Sequence, residues 1–128
     1  MIGSLQCVVL DCADDVVLAR FYQALLGGEV NRPDRRWSLE DGWSTLHLDS
    51  GQVLCFQRVA DHRPPRWPDP AYPQQSHVDI GVTELAAAHD AVVAAGARVL
   101  DTGAGERGWR IYADPAGHPF CLVREQAQ

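Results

Sequence analysis

The stretch Ala113-Asp-Pro-Ala-Gly-His-Pro-Phe-Cys-Leu-Val123 joins a tight turn to a segment that presents one thiol, Cys121, at a defined place. Asp114-Pro115 and Ala116-Gly117 supply the turn, proline fixing φ and glycine accepting a positive one. Pro119 to Arg124 is rich in aromatic and β-branched residues, which predicts a buried strand carrying Cys121. The other cysteines, at 7, 12 and 55, are far apart and form no CxxC pair. In a reducing compartment such thiols are free or ligate a metal, and a disulfide framework is not implied. Trp37, Trp43, Trp67 and Trp109 offer flat surfaces for stacking a planar ligand or a cation, or else pack a core or a subunit interface. His118 sits in the turn facing away from Cys121 and reads as structural, while His47, His62 and His89 read as solvated or peripheral.

Several chemistries are excluded. Every cationic side chain is arginine, so neither a Schiff-base lysine nor a phosphate-loop lysine exists. Gly103-Ala-Gly105-Glu-Arg-Gly108 matches a dinucleotide fingerprint, but it precedes a strand-like Trp109-Arg-Ile-Tyr, whereas that fingerprint must open a helix. No GxSxG or Walker sequence is present. A net charge of −6 and a pI near 5.2 argue against a nucleic-acid partner, which needs a basic face. The N-terminus has no basic leader and no apolar run is long enough for a membrane span, so a cytoplasmic protein is expected.

These residues must be positioned by a single domain, since 128 residues with 46% hydrophobic content bury one core without staples. Leu5 to Cys12 predicts a strand, and Val17, Leu18, Phe21, Leu25 and Leu26 predict a helix that Asp14 caps and Gly27-Gly28 ends. Strands are predicted at Arg36–Glu40, Ser44–Asp49 and Val53–Arg58, separated by Asp41-Gly42 and Ser50-Gly51. Residues 60–75 hold most of the prolines and read as an ordered linker. The pattern then repeats: a strand at Ser76–Val82, a helix from Thr83 or Glu84 to Ala95 closed by Gly96, and strands at Arg98–Leu100, Trp109–Ala113 and Phe120–Arg124. Overlaying the halves puts Cys7 on His77, Gly27 on Gly96 and Cys55 on Cys121. The chain is thus an α+β tandem βαβββ repeat, one domain over 1–128 with modules at about 5–59 and 76–125.

Val9-Leu-Asp-Cys-Ala-Asp14 with Leu18-Ala-Arg-Phe-Tyr22 and Leu25-Leu-Gly27, the Gln75–Ile80 strand and Ala113–Leu122 together resemble the vicinal oxygen chelate superfamily, in its glyoxalase-like branch. The resemblance runs from about Leu5 to Arg124. It implies a curved-sheet cup for a small molecule, a homodimer, and a range of activities from glyoxalase I and ring-cleaving dioxygenases to fosfomycin-modifying enzymes and bleomycin-binding proteins. It also implies metal-ligand positions on the first and last strand of each module, which here hold Cys7, Cys55, His77 and Cys121. Only His77 is a usual ligand type, so the usual Mn, Fe, Ni or Mg site is not retained. Three thiols and an imidazole are a zinc set, and equally three small buried hydrophobes beside a histidine.

Strand alternation adds Asp11 to the face of Cys7, Asp79 to that of His77 and Gln57 to that of Cys55. The expected centre is therefore His77 with Asp79 and Asp11 as acid–base groups, and Gln57, Cys121, Trp67, Trp109 and Trp43 as ligand contacts. Those carboxylates, read as buried, would alternatively serve a structural hydrogen-bond network. Two functions follow. One is isomerase- or lyase-type proton transfer on a small oxygenated metabolite; the other is non-catalytic sequestration of a planar drug between tryptophans, as in bleomycin-resistance proteins.

Overall fold

The computed structural model describes residues 1–37, 40–103 and 106–126. Its contacts divide the chain into two compact units, Met1–His62 and Arg63–Gln128. The first unit runs β1 (Val8–Cys12), α1 (Asp15–Leu26), β2 (Glu29–Val30), β3 (Trp43–His47) and β4 (Val53–Arg58). The second runs β5 (Val78–Val82), α2 (Leu85–Ala95), β6 (Arg98–Asp101), β7 (Trp109–Ala113) and β8 (Pro119–Arg124). Each is a βαβββ unit with one mixed sheet, ordered β1-β4-β3-β2 and β5-β8-β7-β6. The first strand pairs parallel with the last and the others pair antiparallel.

In the first unit the helix covers one face of the sheet. Asp14 has an extended backbone and its carboxylate accepts the Val17 N–H at 3.0 Å, while Gly27 closes the helix at φ +73°. Leu18, Phe21 and Tyr22 are buried, and Tyr22 stacks on Phe56 of β4 at 5.8 Å. Leu10 and Cys12 share that side, and the Cys12 thiol donates to the Gln57 carbonyl at 3.4 Å. By alternation Cys7, Val9 and Asp11 belong to the other face, with Cys55 and Gln57 beside them on β4. In the second unit Tyr112 and Phe120 stack at 5.5 Å beneath α2, whose His89 bonds the Tyr112 hydroxyl at 2.8 Å. His77, Asp79, Cys121, Ile111 and Trp109 fall on the face away from that helix.

Three expectations are corrected. The strand expected at Arg36–Glu40 is absent from its described part; the second strand of the unit is Glu29–Val30. Asp34 explains why: its carboxylate accepts the Arg36 backbone N–H at 2.9 Å, and this local turn outcompetes a ladder. Ser38 and Leu39 of that expected strand lie outside the described residues, as do Ala104 and Gly105 of the Gly-rich loop. β1 begins at Val8, with Leu5 86% exposed. His47 is not solvated but 2% exposed, its Nε2 3.3 Å from Asp34 and its Nδ1 3.4 Å from the Thr45 hydroxyl. After the Gly-rich loop Trp109 opens β7, a strand, so no dinucleotide fingerprint is formed. Residues 60–75 contain neither helix nor strand, as their prolines require.

Candidate functional site

In the second unit the parallel pairing of β5 with β8 sets Asp79 opposite Cys121, and β7 sets Ile111 on the other side of Cys121. His77 precedes Asp79 by two residues and so shares its face. Nε2 of His77 lies 3.3 Å from Oδ1 of Asp79. One ligating atom each from His77, Asp79 and Cys121 fall within 4.8 Å of one another. The carboxylate is not buried as expected: the His77 and Asp79 side chains are 44% and 60% exposed, which leaves the pair open to an incoming molecule. Cys121 is half-buried, and burial, with Asp79 beside it, pushes its thiol up to about 11 against the opposing pull of Arg107. At neutral pH it is a thiol and not a thiolate nucleophile.

Arg107 is held in place next to this group. Its Nε donates to the Trp109 carbonyl at 3.0 Å, Nη1 lies 3.3 Å from Asp101, and the guanidinium stands 4.8 Å over the Trp109 ring. Trp109 is 46% exposed, in the strand position next to Val123. Glu125 was not among the expected residues. Its side chain lies over Gly81, where any Cβ would collide with it, so it fills the position that continues the row of His77 and Asp79 on β5. A glycine two residues beyond Asp79 was the available signal. Trp67 is half-buried in the turn held by the Arg66 N–H to Tyr72 carbonyl bond.

The first unit holds the remaining expected residues. Asp11, Gln57 and Trp43 form one row across β1, β4 and β3, with Asp11 and Gln57 exposed. Trp43 and Gln57 line a cleft of about 410 Å³ together with Arg36, Trp37 and Arg58. Its cations are partnered: Arg36 is bidentate on Asp34, at 2.7 Å for the shorter contact, and Arg58 lies 2.6 Å from Asp41. The Arg36 guanidinium beside Asp34 holds that carboxyl well below the usual range. Arg36 also stacks 4.3 Å over Trp37, whose ring meets His47 edge-on. The row one step along the strands is Val9, Cys55 and Thr45, and Cys7, two residues before Val9, falls on the same face. The four residues at the implied ligand positions thus divide into Cys7 with Cys55 in one unit and His77 with Cys121 in the other, where Asp79 joins them.

The sequence matches the family described as glyoxalase-like domain over residues 7–123. No curated protein matches it. Among solved structures, a hypothetical protein from S. aureus superposes with a TM-score of 0.68 at 21% identity, covering 98% of this chain and 99% of that one. The genomically encoded fosfomycin resistance protein FosX from Listeria monocytogenes gives 0.69 at 15% identity, covering 98% and 96%. A variant of it, in complex with Mn(II) and 1S,2S-dihydroxypropylphosphonic acid, gives 0.69 at 16%, covering 98% and 95%. A glyoxalase/bleomycin resistance protein/dioxygenase family enzyme from Burkholderia phytofirmans gives 0.69 at 15%, covering 95% and 98%. At these identities the likeness is one of fold.

Proposed function

The chain belongs to the glyoxalase-like domain family of the vicinal oxygen chelate superfamily, and from that premise we propose that it is an enzyme moving a proton on a small oxygenated metabolite, in isomerase- or lyase-type chemistry. The observation that carries this reading is the convergence of His77, Asp79 and Cys121 on one open face of the second sheet. Asp79, 3.3 Å from Nε2, orients the imidazole and leaves Nδ1 to take a proton from a carbon next to a carbonyl or hydroxyl. Cys121, neutral at that pH, donates a weak hydrogen bond to the substrate oxygen. Within the second unit Trp67 and Trp109 are proposed ligand contacts; within the first, Gln57 and Trp43 are, with Asp11 beside them as an acid–base group.

Among metals, the donor types decide. One imidazole, one carboxylate and one thiol suit zinc, and they serve poorly the oxygen-seeking Mn(II) present in the FosX complex. A zinc ion held by His77, Asp79 and Cys121 would supply a Lewis acid with one position open to substrate. A small-molecule ligand, a homodimer and a cytoplasmic location complete the proposal. No helix among the described residues is long and apolar enough to cross a membrane, and the acidic charge disfavours nucleic acid.

The cleft walled by Trp37 and Trp43 favours the second reading, sequestration of a planar compound without turnover. A thermal-shift ligand screen on the wild type, then titration of the best hit into His77→Ala, Asp79→Asn, Trp43→Ala and Trp67→Ala, separates the two. For the enzyme, His77→Ala and Asp79→Asn abolish conversion of the hit while its affinity changes little. Recovery of the hit chemically unchanged, with a loss of about 1–3 kcal/mol of affinity confined to a tryptophan variant, establishes the binder instead.

A further inference from the structure

We propose that Cys7 and Cys55 in the first unit are a redox modification site, a thiol pair that hydroperoxides convert to a disulfide tying the segment before β1 to β4. The parallel register sets Val9 opposite Cys55, so Cys7, two residues before Val9, is a diagonal neighbour of Cys55 on the same face. Cys7 is near enough to add to the effect of burial in raising the Cys55 thiol. Their surroundings differ in the way a two-step oxidation needs. Cys7 is half-exposed and reachable by a small oxidant, whereas Cys55 is 0% exposed.

The charge of one cation reaches both sulfurs. Arg36, fixed by its two bonds to Asp34 and its stack on Trp37, is close enough for its charge to be felt at Cys7 and at Cys55. It stabilises the negative charge that develops on sulfur. A reachable thiol, an adjacent resolving thiol and a fixed cation together make a peroxide-responsive pair. Cys12 is not its partner: it lies on the helix-covered face and donates to the Gln57 carbonyl.

The chemistry balances. The hydroperoxide takes two electrons from the Cys7 sulfur; its O–O bond breaks, an S–O bond forms, and the other oxygen leaves with the Cys7 proton, as water from hydrogen peroxide or as an alcohol from an alkyl hydroperoxide, giving a sulfenic acid. The Cys55 sulfur then attacks the Cys7 sulfur, the S–O bond breaks, and the hydroxyl leaves as water with the Cys55 proton. Burial, and next the influence of Cys7, pushes the Cys55 thiol up to about 12, so Cys7 and not Cys55 meets the peroxide, and in the second step the departing hydroxyl takes the Cys55 proton.

The test treats the full chain with hydrogen peroxide and reads intact mass, the count of alkylatable thiols and linked peptides. Expected are a mass loss of two hydrogens, loss of two of the four free thiols, a Cys7–Cys55 linked peptide, and full reversal by dithiothreitol. Cys12→Ser keeps the whole response and Cys7→Ser abolishes it. A link that involves Cys12 or Cys121, a mass loss that persists in Cys7→Ser, or added oxygen on Cys7 with no linked peptide overturns the proposal. Should Cys55→Ser fail to fold, wild-type peptide mapping and the half-exposed Cys7 position still decide it.

Discussion

A thiol that burial and Asp79 hold up to about 11 does not ligate an ion until the ion itself displaces its proton, so Cys121 sets the choice of metal in the second unit. Ions that favour oxygen gain little from it, while zinc gains a strong bond. Zinc is therefore expected to raise the melting temperature of the protein and to be retained at one equivalent, with both effects lost in Cys121→Ser and His77→Ala. Manganese at the same concentration is expected to do neither. Elemental analysis and thermal shift check this, and a full equivalent of Mn, Fe, Ni or Mg retained by the wild type would contradict it. The pairing of His77 with Asp79 was legible because residues two apart on a strand share a face, and the repeat placed Cys121 beside them. Glu125 was signalled only by Gly81, and the missing side chain there does not say which residue fills the space, a property of the folded unit. The burial of His47 depends in the same way on a turn, at Asp34, that period counting does not register.

Elements announce themselves in proportion to their length. α1 and α2, at 12 and 11 residues, carry enough periodicity and punctuation to be read, as do the five- and six-residue strands. β2 spans two residues and has no period at all; the tryptophan-bearing segment Arg36–Glu40 looked more strand-like than Glu29–Val30. What fixes β2 is packing at the end of α1. Gly28, at φ +89°, lies against the His47 carbonyl, where a Cβ would strike backbone, and this close approach lets Glu29 pair with His47. Gly27 also has a positive φ, +73°, but nothing within 4 Å of its would-be Cβ. Gly27→Ala is accordingly expected to cost only the backbone term, about 1–3 kcal/mol, and Gly28→Ala clearly more, since the backbone of β3 cannot rotate out of the way as a side chain can. Urea denaturation of the two variants measures the difference. Equal losses would mean that the approach to β3 is not what fixes β2.

At the scale of the whole molecule the internal repeat was the most readable feature, because Gly27 and Gly96 close equivalent helices and Cys55 and Cys121 occupy equivalent last strands. The repeat carries chemistry with it: each unit holds a thiol on its last strand whose surroundings push it upward, Cys55 to about 12 and Cys121 to about 11, from an ordinary value near 9.0, burial being the larger cause in both. This shared feature sets the alkaline limit of stability. Above pH 9 an unfolded chain gives up these protons while the folded chain keeps them, so the unfolded state binds fewer protons and stability falls as pH rises. The contribution is complete below about pH 9 and is lost between 9 and 11 for Cys121, and between 9 and 12 for Cys55. For buried Cys55 the slope reaches at most about 1.4 kcal/mol per pH unit. Tyr112, also raised by burial, adds a loss of the same sign. Urea midpoints of the metal-free protein measured from about pH 8 to about pH 10.5 are thus expected to fall steadily, and to fall less steeply in Cys55→Ala, which starts lower for want of a packed side chain but keeps the slopes of Cys121 and Tyr112. A Cys55→Ala profile parallel to that of the wild type would show that the Cys55 thiol titrates alike in the folded and unfolded chains.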